Sequence, residues 1–299
     1  MIDTKLYSLV AVHECGSFVG AAKRLKITQP AVSQHVKALE AELGVTVFDR
    51  VGGNLTVTKQ GERVIRCAKK MIGLENALRQ ELSDGRWQRD RLTVGITHTA
   101  ESNPIAEALA RYSAENEGVC IKLITESISN LYSMLKTYEL DMAVVEGSKP
   151  DPALRFILLD TDYLALVVSP NHPLAGKNLV TLAELRQERL ILRLPDSGTR
   201  NLFKAHLENN NVRLSDFNVI LELDNVATIK DLIRRDFGVS ILPRSVCLDE
   251  LNKGKLVVLP VENLSMMREM NLVCRSDFSQ SEILHDIVKA YNETLRIYK

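Results

Sequence analysis

Residues 16–50 read GSFVGAAKRLKITQPAVSQHVKALEAELGVTVFDR, and the middle of this run decides the fold. Thr28 can cap a helix that begins at Gln29, with Pro30 in the first turn, where its missing N–H costs little. Along residues 29–43, Val32, Val36 and Leu39 share one face, while Pro30, Ser33, Gln34 and Lys37 fall on roughly the other. The valine face can bury itself. The second face is polar, uncharged or basic, the mixture needed to meet base edges and phosphates in a major groove. Gln29, at the helix start, can pair in bidentate fashion with adenine.

Working outward from that helix, residues 4–14 form an amphipathic helix in which Leu6, Leu9, Val10 and His13 recur at helical spacing. Gly16 and Ser17 end it. A short helix follows over Val19–Leu25, with Ala21 and Ala22 small enough for a close crossing, and Lys26-Ile27 makes the turn. Beyond the third helix, Leu43-Gly44 is a stop. Val45–Phe48 with Arg50, and Leu55–Thr58, then read as two short strands around Gly52-Gly53-Asn54. A small hairpin behind a helix-turn-helix is a wing. Periodicity alone is met equally well by a three-helix bundle whose third helix has a polar outer face.

The total formal charge of the 299 residues is zero, but the charge is unevenly placed. Residues 1–90 carry 14 Lys/Arg against 10 Asp/Glu, and residues 91–299 carry 24 against 28. Between Cys15 and Leu39 there is no acid, while Lys23, Arg24, Lys26 and Lys37 all lie there. A local basic face matters more than net charge for meeting a phosphate backbone. The five cysteines (15, 67, 120, 247 and 274) form no C-x-x-C pair, and each reads as a small buried hydrophobe in a reducing compartment. The N-terminus lacks the apolar run of a secretory signal, and no stretch approaches the ~18 apolar residues of a membrane span, so a cytoplasmic chain with no membrane partner is expected.

From Thr58 to Trp87 there is no proline, and Val64, Cys67, Met71, Leu74 and Leu78 are spaced as a heptad-like seam. A long helix with a narrow apolar stripe can pair with its own copy or pack on its own domain. Ser83-Asp84-Gly85 closes it. Beyond residue 91, strands are expected at Leu92–Ile96, Val119–Thr125, Met142–Glu146, Arg155–Leu159, Leu164–Val168, Leu190–Leu192, Val219–Leu223, Val239–Leu242, Leu256–Leu259 and Met270–Cys274. Helices are expected near 101–114, 129–138, 199–210, 226–236 and 280–297. Such alternation predicts an α/β domain with mostly parallel sheets.

The N-terminal run resembles the LysR-type transcriptional regulators. The matching positions are Gly16, Ser17, Phe18, Ala21, Ala22, Leu25, Thr28, Gln29, Pro30, Ala31, Val32, Ser33, Leu39, Glu40, Leu43, Gly44, Phe48, Arg50, Leu55, Thr58 and Gly61. The resemblance implies that Gln29, Pro30, Ser33 and Gln34 face bases, that Thr28 and Lys37 contact phosphates, and that Arg50 anchors the wing base. It turns Val64, Cys67, Met71, Leu74 and Leu78 toward a dimerising linker helix. One position departs from the family: its wing tip usually carries an arginine that probes the minor groove, whereas here the tip is Gly52-Gly53. Strong minor-groove readout by this wing is therefore not expected.

The remainder is similar, more loosely, to the family's effector domain, through Leu92-Thr93-Val94-Gly95, Leu140-Asp141-Met142-Ala143, Pro170 with His172-Pro173-Leu174, and Gly238-Val239 with Ile241-Leu242-Pro243. This implies an α+β chain overall: a winged helix-turn-helix over 1–60, a linker helix over 61–89, and a periplasmic-binding-protein-like α/β domain over 90–299. The last would form two subdomains, 90–161 with 266–299 and 162–265, joined by crossover strands near 160–164 and 263–268. Three stretches would line the cleft between them: Thr97 to Thr99, Ser127 to Ser129, and Ser197 to Arg200. The site residues expected there are Thr97, Thr99, Ser127, Ser129, Ser197, Thr199 and Arg200. Hydroxyls and free N–H groups at helix starts, with the Arg200 guanidinium, suit an anionic small-molecule effector. Thr99, Ser129 and Thr199 are read equally well as helix caps alone.

No Walker loop, G-x-S-x-G or H-E-x-x-H motif occurs, and the six histidines are scattered, so neither catalytic residues nor a metal site or other cofactor is expected. The partners implied are double-stranded promoter DNA, a second copy of the chain (a homodimer assembling to a homotetramer), the effector and RNA polymerase. Two rival readings are a solute-binding or transferase-like protein with interaction helices, and an architectural DNA binder without an effector.

Overall fold

The computed structural model describes residues 2–82, 90–147, 151–278 and 280–298. The expected helix stop at Ser83-Asp84-Gly85, and the run to Trp87, lie outside the described residues. The chain divides into two compact units, Met1–Gln88 with Ser133–Leu140, and Arg89–Tyr132 with Asp141–Lys299.

The first unit begins with α1 (Thr4–Cys15), α2 (Phe18–Leu25) and α3 (Gln29–Leu43), followed by the hairpin β1 (Phe48–Val51) and β2 (Asn54–Val57) and the long helix α4 (Lys59–Leu82). Each of the first three helices is capped by its own sequence: Asp3, Ser17 and Thr28 accept from the backbone N–H groups of Lys5, Gly20 and Ala31. Lys26 turns the chain in the left-handed region at φ 57°, and Gly44 ends α3 at φ 65°. Val32, Val36 and Leu39 are buried, as the periodicity requires. In α1 the inward residues are Ser8, Leu9, Ala11 and Val12 rather than a stripe ending at His13, which is exposed. The polar imidazole stays in water, and the smaller Ala11 takes the inner position. Gly52 and Gly53, at φ 59° and 85°, make the two-residue turn that pairs Val51 with Asn54. A turn with both central residues at positive φ matches the twist of the hairpin and excludes most side chains.

The second unit contains β3 (Asp90–Ile96), α5 (Ile105–Glu115), β4 (Val119–Thr125), α6 (Ile128–Lys136), β5 (Met142–Glu146), β6 (Leu154–Val168), α7 (Leu182–Leu185), β7 (Arg189–Leu192), α8 (Gly198–Asn209), β8 (Asn218–Glu222), α9 (Val226–Arg234), β9 (Ser240–Pro243), α10 (Leu248–Asn252), β10 (Val257–Leu259), β11 (Met267–Arg275) and α11 (Ser281–Ile297). Residues 133–136 of α6 belong to the first unit. The main sheet runs β10-β6-β11-β5-β3-β4, with β9 also on β6, and β7 pairs with β8 in a second sheet.

Two sequence expectations are corrected here. The strands expected at Arg155–Leu159 and Leu164–Val168 are one 15-residue strand, β6. It pairs antiparallel with β11 from Leu154↔Arg275 to Tyr163↔Met267. The polar run Asp160-Thr161-Asp162 between them reads as a loop in sequence, yet it lies within β6, where Asp162 is opposite Arg268. Nor is the sheet mostly parallel: β3 is parallel to β4 and β5, while β6 is antiparallel to β9, β10 and β11, and β11 is antiparallel to β5. The two long crossing strands impose the antiparallel pairs. β6 also feeds two separate cores. Leu159 joins Leu92, Ile105, Leu272 and Tyr291, whereas Leu164, Leu166 and Val168 join Leu190, Phe203, Leu207 and Ile241.

Cys247 and Cys274 are buried, and burial pushes both thiols up, Cys247 to about 12. Cys15 and Cys120 are half-buried. Cys67 is exposed and so departs from the buried reading.

Candidate nucleic-acid interface and effector cleft

The outer side of α3 carries an open groove lined by Gln29, Pro30, Ser33, Gln34, Lys37 and Ala38. The structure thus brings five of the seven expected DNA-facing residues onto one surface, all exposed except the half-buried Ser33. Thr28 sits at its edge as the cap of α3, its Oγ1 accepting from Ala31 N at 3.4 Å. Arg50 is exposed on β1, apart from the groove, in register with Leu55. Lys23, Lys26 and Lys37 have no carboxylate in ion-pair range among the described residues, which leaves their charge available to a polyanion. Arg24 differs. Its Nη1 lies 2.5 Å from Glu14 Oε2, and Glu14 also meets Lys69 at 3.3 Å. Burial pushes the Glu14 carboxyl up, but the hydrogen bond from Arg24 and the nearby Lys69 ammonium outweigh it and hold the group below its ordinary 4.5.

Sequence reasoning did not single out what holds this surface. Glu40 Oε1 accepts from both Val47 N, at 2.6 Å, and Phe48 N, at 3.2 Å, tying the last turns of α3 to the chain entering the wing. Thr58 N donates to Val47 O at 3.0 Å, and its Oγ1 donates to Thr46 O at 2.6 Å and accepts from Gly61 N at 2.9 Å. A Cβ at Gly61 would stand 2.2 Å from Val47 O, so only glycine lets α4 start this close. His35 Nδ1 and Ser8 Oγ, 2.8 Å apart, link α3 to α1. The matched motif contained Glu40, Thr58 and Gly61, but no periodicity distinguishes a brace from a surface acid.

On α4, Met71, Leu74 and Leu78 are exposed, as is Cys67. Val64 is not with them: it is half-buried against the core of Leu9, Val36 and Ile65. Leu82, 75% exposed, continues the stripe instead. The helix thus carries two apolar flanks, one packed on its own domain and one exposed.

In the second unit the expected cleft residues fall into two groups. Thr97 and Thr99, after β3, are buried, and so is Thr199 in the first turn of α8. Thr97 Oγ1 donates to Glu146 Oε2 at 2.7 Å, and Thr99 Oγ1 accepts from Arg193 Nη1 at 3.1 Å. Ser197 caps α8, and Arg200 Nη1 lies 2.7 Å from Glu222 and donates to Arg193 O at 3.1 Å. Ser127 and Ser129 are exposed, with their hydroxyls 3.1 Å apart, and among the described residues no hydrogen bond or ion pair joins them to the others. Sequence reading missed the charged groups that organise this region. Arg193 is paired with Asp224, and Arg268 lies 3.7 Å from Glu146 and 3.4 Å from Asp162. Ser245 Oγ donates to Asp162 Oδ2 at 2.7 Å. A chain of hydrogen bonds and ion pairs thereby runs from Thr97 through Glu146, Arg268 of β11 and Asp162 of β6 to Ser245 after β9. Nothing in the sequence signals these pairs, whose positions lie from 31 (Arg193–Asp224) to 122 (Arg268–Glu146) residues apart.

Among the described residues, no helix is long and apolar enough to cross a membrane. The description "Bacterial regulatory helix-turn-helix protein, lysR family" matches residues 4–62, and "LysR substrate binding domain" matches residues 86–296. The HTH-type transcriptional regulator CfxR of Cupriavidus necator is 31% identical over 274 residues, covering 88% of this chain and 82% of that protein. The regulator CysL of Bacillus subtilis is 27% identical over 273 residues, covering 90% and 89%. Among solved structures, a full-length OxyR variant from Pseudomonas aeruginosa has a TM-score of 0.68 at 21% identity, covering 98% of this chain and 95% of that one. Full-length CbnR in complex with its target DNA has a TM-score of 0.66 at 19% identity, covering 98% and 100%. The α3 groove, the wing and the two-core domain that follows them in sequence therefore belong to a member of the LysR family, a DNA-binding transcription regulator with an effector-binding domain.

Proposed function

We propose that the protein reads promoter DNA through α3. Gln29, Pro30, Ser33 and Gln34 meet base edges, Thr28 and Lys37 hold phosphates, and Arg50 steadies the base of a wing whose glycine tip adds little in the minor groove. The observation that carries this is the groove on α3: its polar, acid-free lining faces outward while Val32, Val36 and Leu39 hold the helix to the body. Sequence-selective, salt-sensitive retention of the protein's own upstream region in a gel shift is expected. Binding that ignores sequence, or that is indifferent to salt, would contradict it.

The exposed stripe on α4 supports pairing with a second copy, through Cys67, Met71, Leu74 and Leu78. Val64 contributes mainly to its own domain. Two recognition helices then meet two half-sites, and linkage raises affinity through effective concentration. Assembly to a tetramer, a functional contact with RNA polymerase and residence in the cytoplasm complete the reading. The functional division places the DNA-binding domain at 1–60, the linker at 61–89 and the regulatory domain at 90–299, with subdomains 90–161 plus 266–299 and 162–265. The effector is a small anion received near Thr97, Thr99, Ser197, Thr199 and Arg200, with Ser127 and Ser129 at a more exposed margin. It acts as a signal and is not turned over.

A further inference from the structure

Arg193 follows β7 and is 3% exposed. Its guanidinium is only partly used. Nη1 donates to Thr99 Oγ1 at 3.1 Å, Nη2 to Asp224 Oδ1 at 2.5 Å, and the buried Nε has no hydrogen-bond partner among the described residues. Nε and Nη2 form the side-on edge that grips an oxyanion with two parallel hydrogen bonds. Asp224 therefore stands on a two-legged edge with one leg. Its carboxylate is 40% exposed and can turn to water, and the same carboxylate lies 3.7 Å from His98 Nδ1. A second buried polar atom is unspent nearby. Thr199 is 2% exposed, and its Oγ1 has no hydrogen-bond partner among the described residues. It sits in the first turn of the 12-residue helix α8, where backbone N–H groups favour an anion. Arg200, the next residue, donates to Arg193 O at 3.1 Å and so ties that turn to Arg193. Burying a donor or a hydroxyl without a partner is costly, and two such atoms on adjoining segments are accounted for by a ligand that satisfies both.

We propose that the Arg193 side-on edge and the first turn of α8 form an oxyanion seat, and that Asp224 is its internal competitor. This rests on the effector reading above and adds a mechanism to it. An effector bearing a carboxylate or phosphate group enters by taking Asp224's place on Nη2, gains Nε and Thr199 Oγ1, and releases Asp224 toward His98. The exchange converts a one-legged contact into a bidentate one, and it sets the effector's affinity by how firmly Asp224 holds on.

The test uses the full-length protein titrated with inorganic phosphate, and separately with acetate, at constant ionic strength, with thermal shift and calorimetry as readouts. Asp224→Asn removes the competing charge and should tighten phosphate binding by about tenfold. Thr199→Val removes a hydroxyl that makes no hydrogen bond among the described residues. It should leave the melting temperature without phosphate unchanged or raised, yet weaken phosphate binding by about fivefold. Arg193→Lys keeps the charge, loses the side-on edge and should weaken it further. The acetate series reports whether a planar carboxylate suffices. Equal affinity in wild type, Asp224→Asn and Thr199→Val overturns the seat, as does an absence of phosphate and acetate binding to Asp224→Asn. A neutral metabolite that binds wild type and Arg193→Lys alike would overturn the seat while leaving the effector reading intact. Failure of every metabolite class to bind would sink the effector reading instead.

Discussion

Replacing Gly61 by alanine sets two effects of opposite sign against each other. In an ordinary helix the change stabilises by about 1 kcal/mol, because alanine is the better helix former. Here the new Cβ would lie 2.2 Å from Val47 O, about 1 Å inside a normal carbon–oxygen contact of roughly 3.3 Å. Val47 cannot yield freely. It is fully buried, its N–H is held by Glu40 Oε1 at 2.6 Å, and its carbonyl accepts from Thr58 N at 3.0 Å. Overpacking of this kind costs about 1–3 kcal/mol. Disturbing the two hydrogen bonds adds about 0.5–1.5 kcal/mol each. Together these outweigh the propensity gain and leave a net loss of about 1–5 kcal/mol. Because Val47 leads directly into β1, the strain also moves the wing relative to α3. Urea denaturation followed by circular dichroism should show a lower midpoint for Gly61→Ala, accompanied by weaker operator binding. Gly176→Ala is the control, since a Cβ there meets nothing within 4 Å. A Gly61→Ala protein as stable as wild type would refute the claim that close approach, rather than chance, puts glycine at this position.

Glu40→Ala should free the entry to the wing and weaken operator binding while α3 stays folded. Glu40→Gln, whose amide oxygen can still accept from Val47 and Phe48, should restore most of it in the same titration. Leu74→Lys with Leu78→Lys should cost a dimer about 3–6 kcal/mol, taking half-burial of four leucines. The sedimentation coefficient should fall to that of a single chain, and an unchanged value would argue against pairing through α4. The Glu14 carboxyl is held below 4.5, so its contribution to stability is complete above that pH and is lost as pH falls through the lowered value. Glu14→Gln should accordingly flatten the acid limb of the stability–pH curve, and a limb identical to wild type would show that the Arg24 and Lys69 pairs contribute nothing.

The local parts of this molecule could be read from the chain, and the long-range parts could not. Helix α3 spans Gln29–Leu43 as the Thr28 cap, the valine spacing and the Gly44 stop require, because all three signals act within one turn of the backbone. The same holds for the Gly52-Gly53 turn. By contrast, Asp160-Thr161-Asp162 looks like a break because three polar residues in a row carry no strand pattern. Only the distant Arg268 and Ser245 make it affordable to keep Asp162 inside a continuous strand. Val64 was legible as apolar but not as to which side it serves, since one helix carries two apolar flanks that differ by a single position. Thr97, Thr99 and Thr199 were legible as hydroxyls beside helix starts, yet the groups around them, Glu146, Arg193 and Asp224, lie on other segments and carry no motif.

The central claim concerns the outer side of α3, and base-by-base binding measures it most directly. Wild type, Gln29→Ala and Lys37→Ala would each be titrated, at one fixed salt concentration, against a library holding every single-base change in the operator. The account predicts that Gln29→Ala loses discrimination of about 1–3 kcal/mol at one base pair, whereas Lys37→Ala weakens every sequence alike. A Gln29→Ala protein that loses affinity equally for the operator, its single-base variants and scrambled duplex would contradict it.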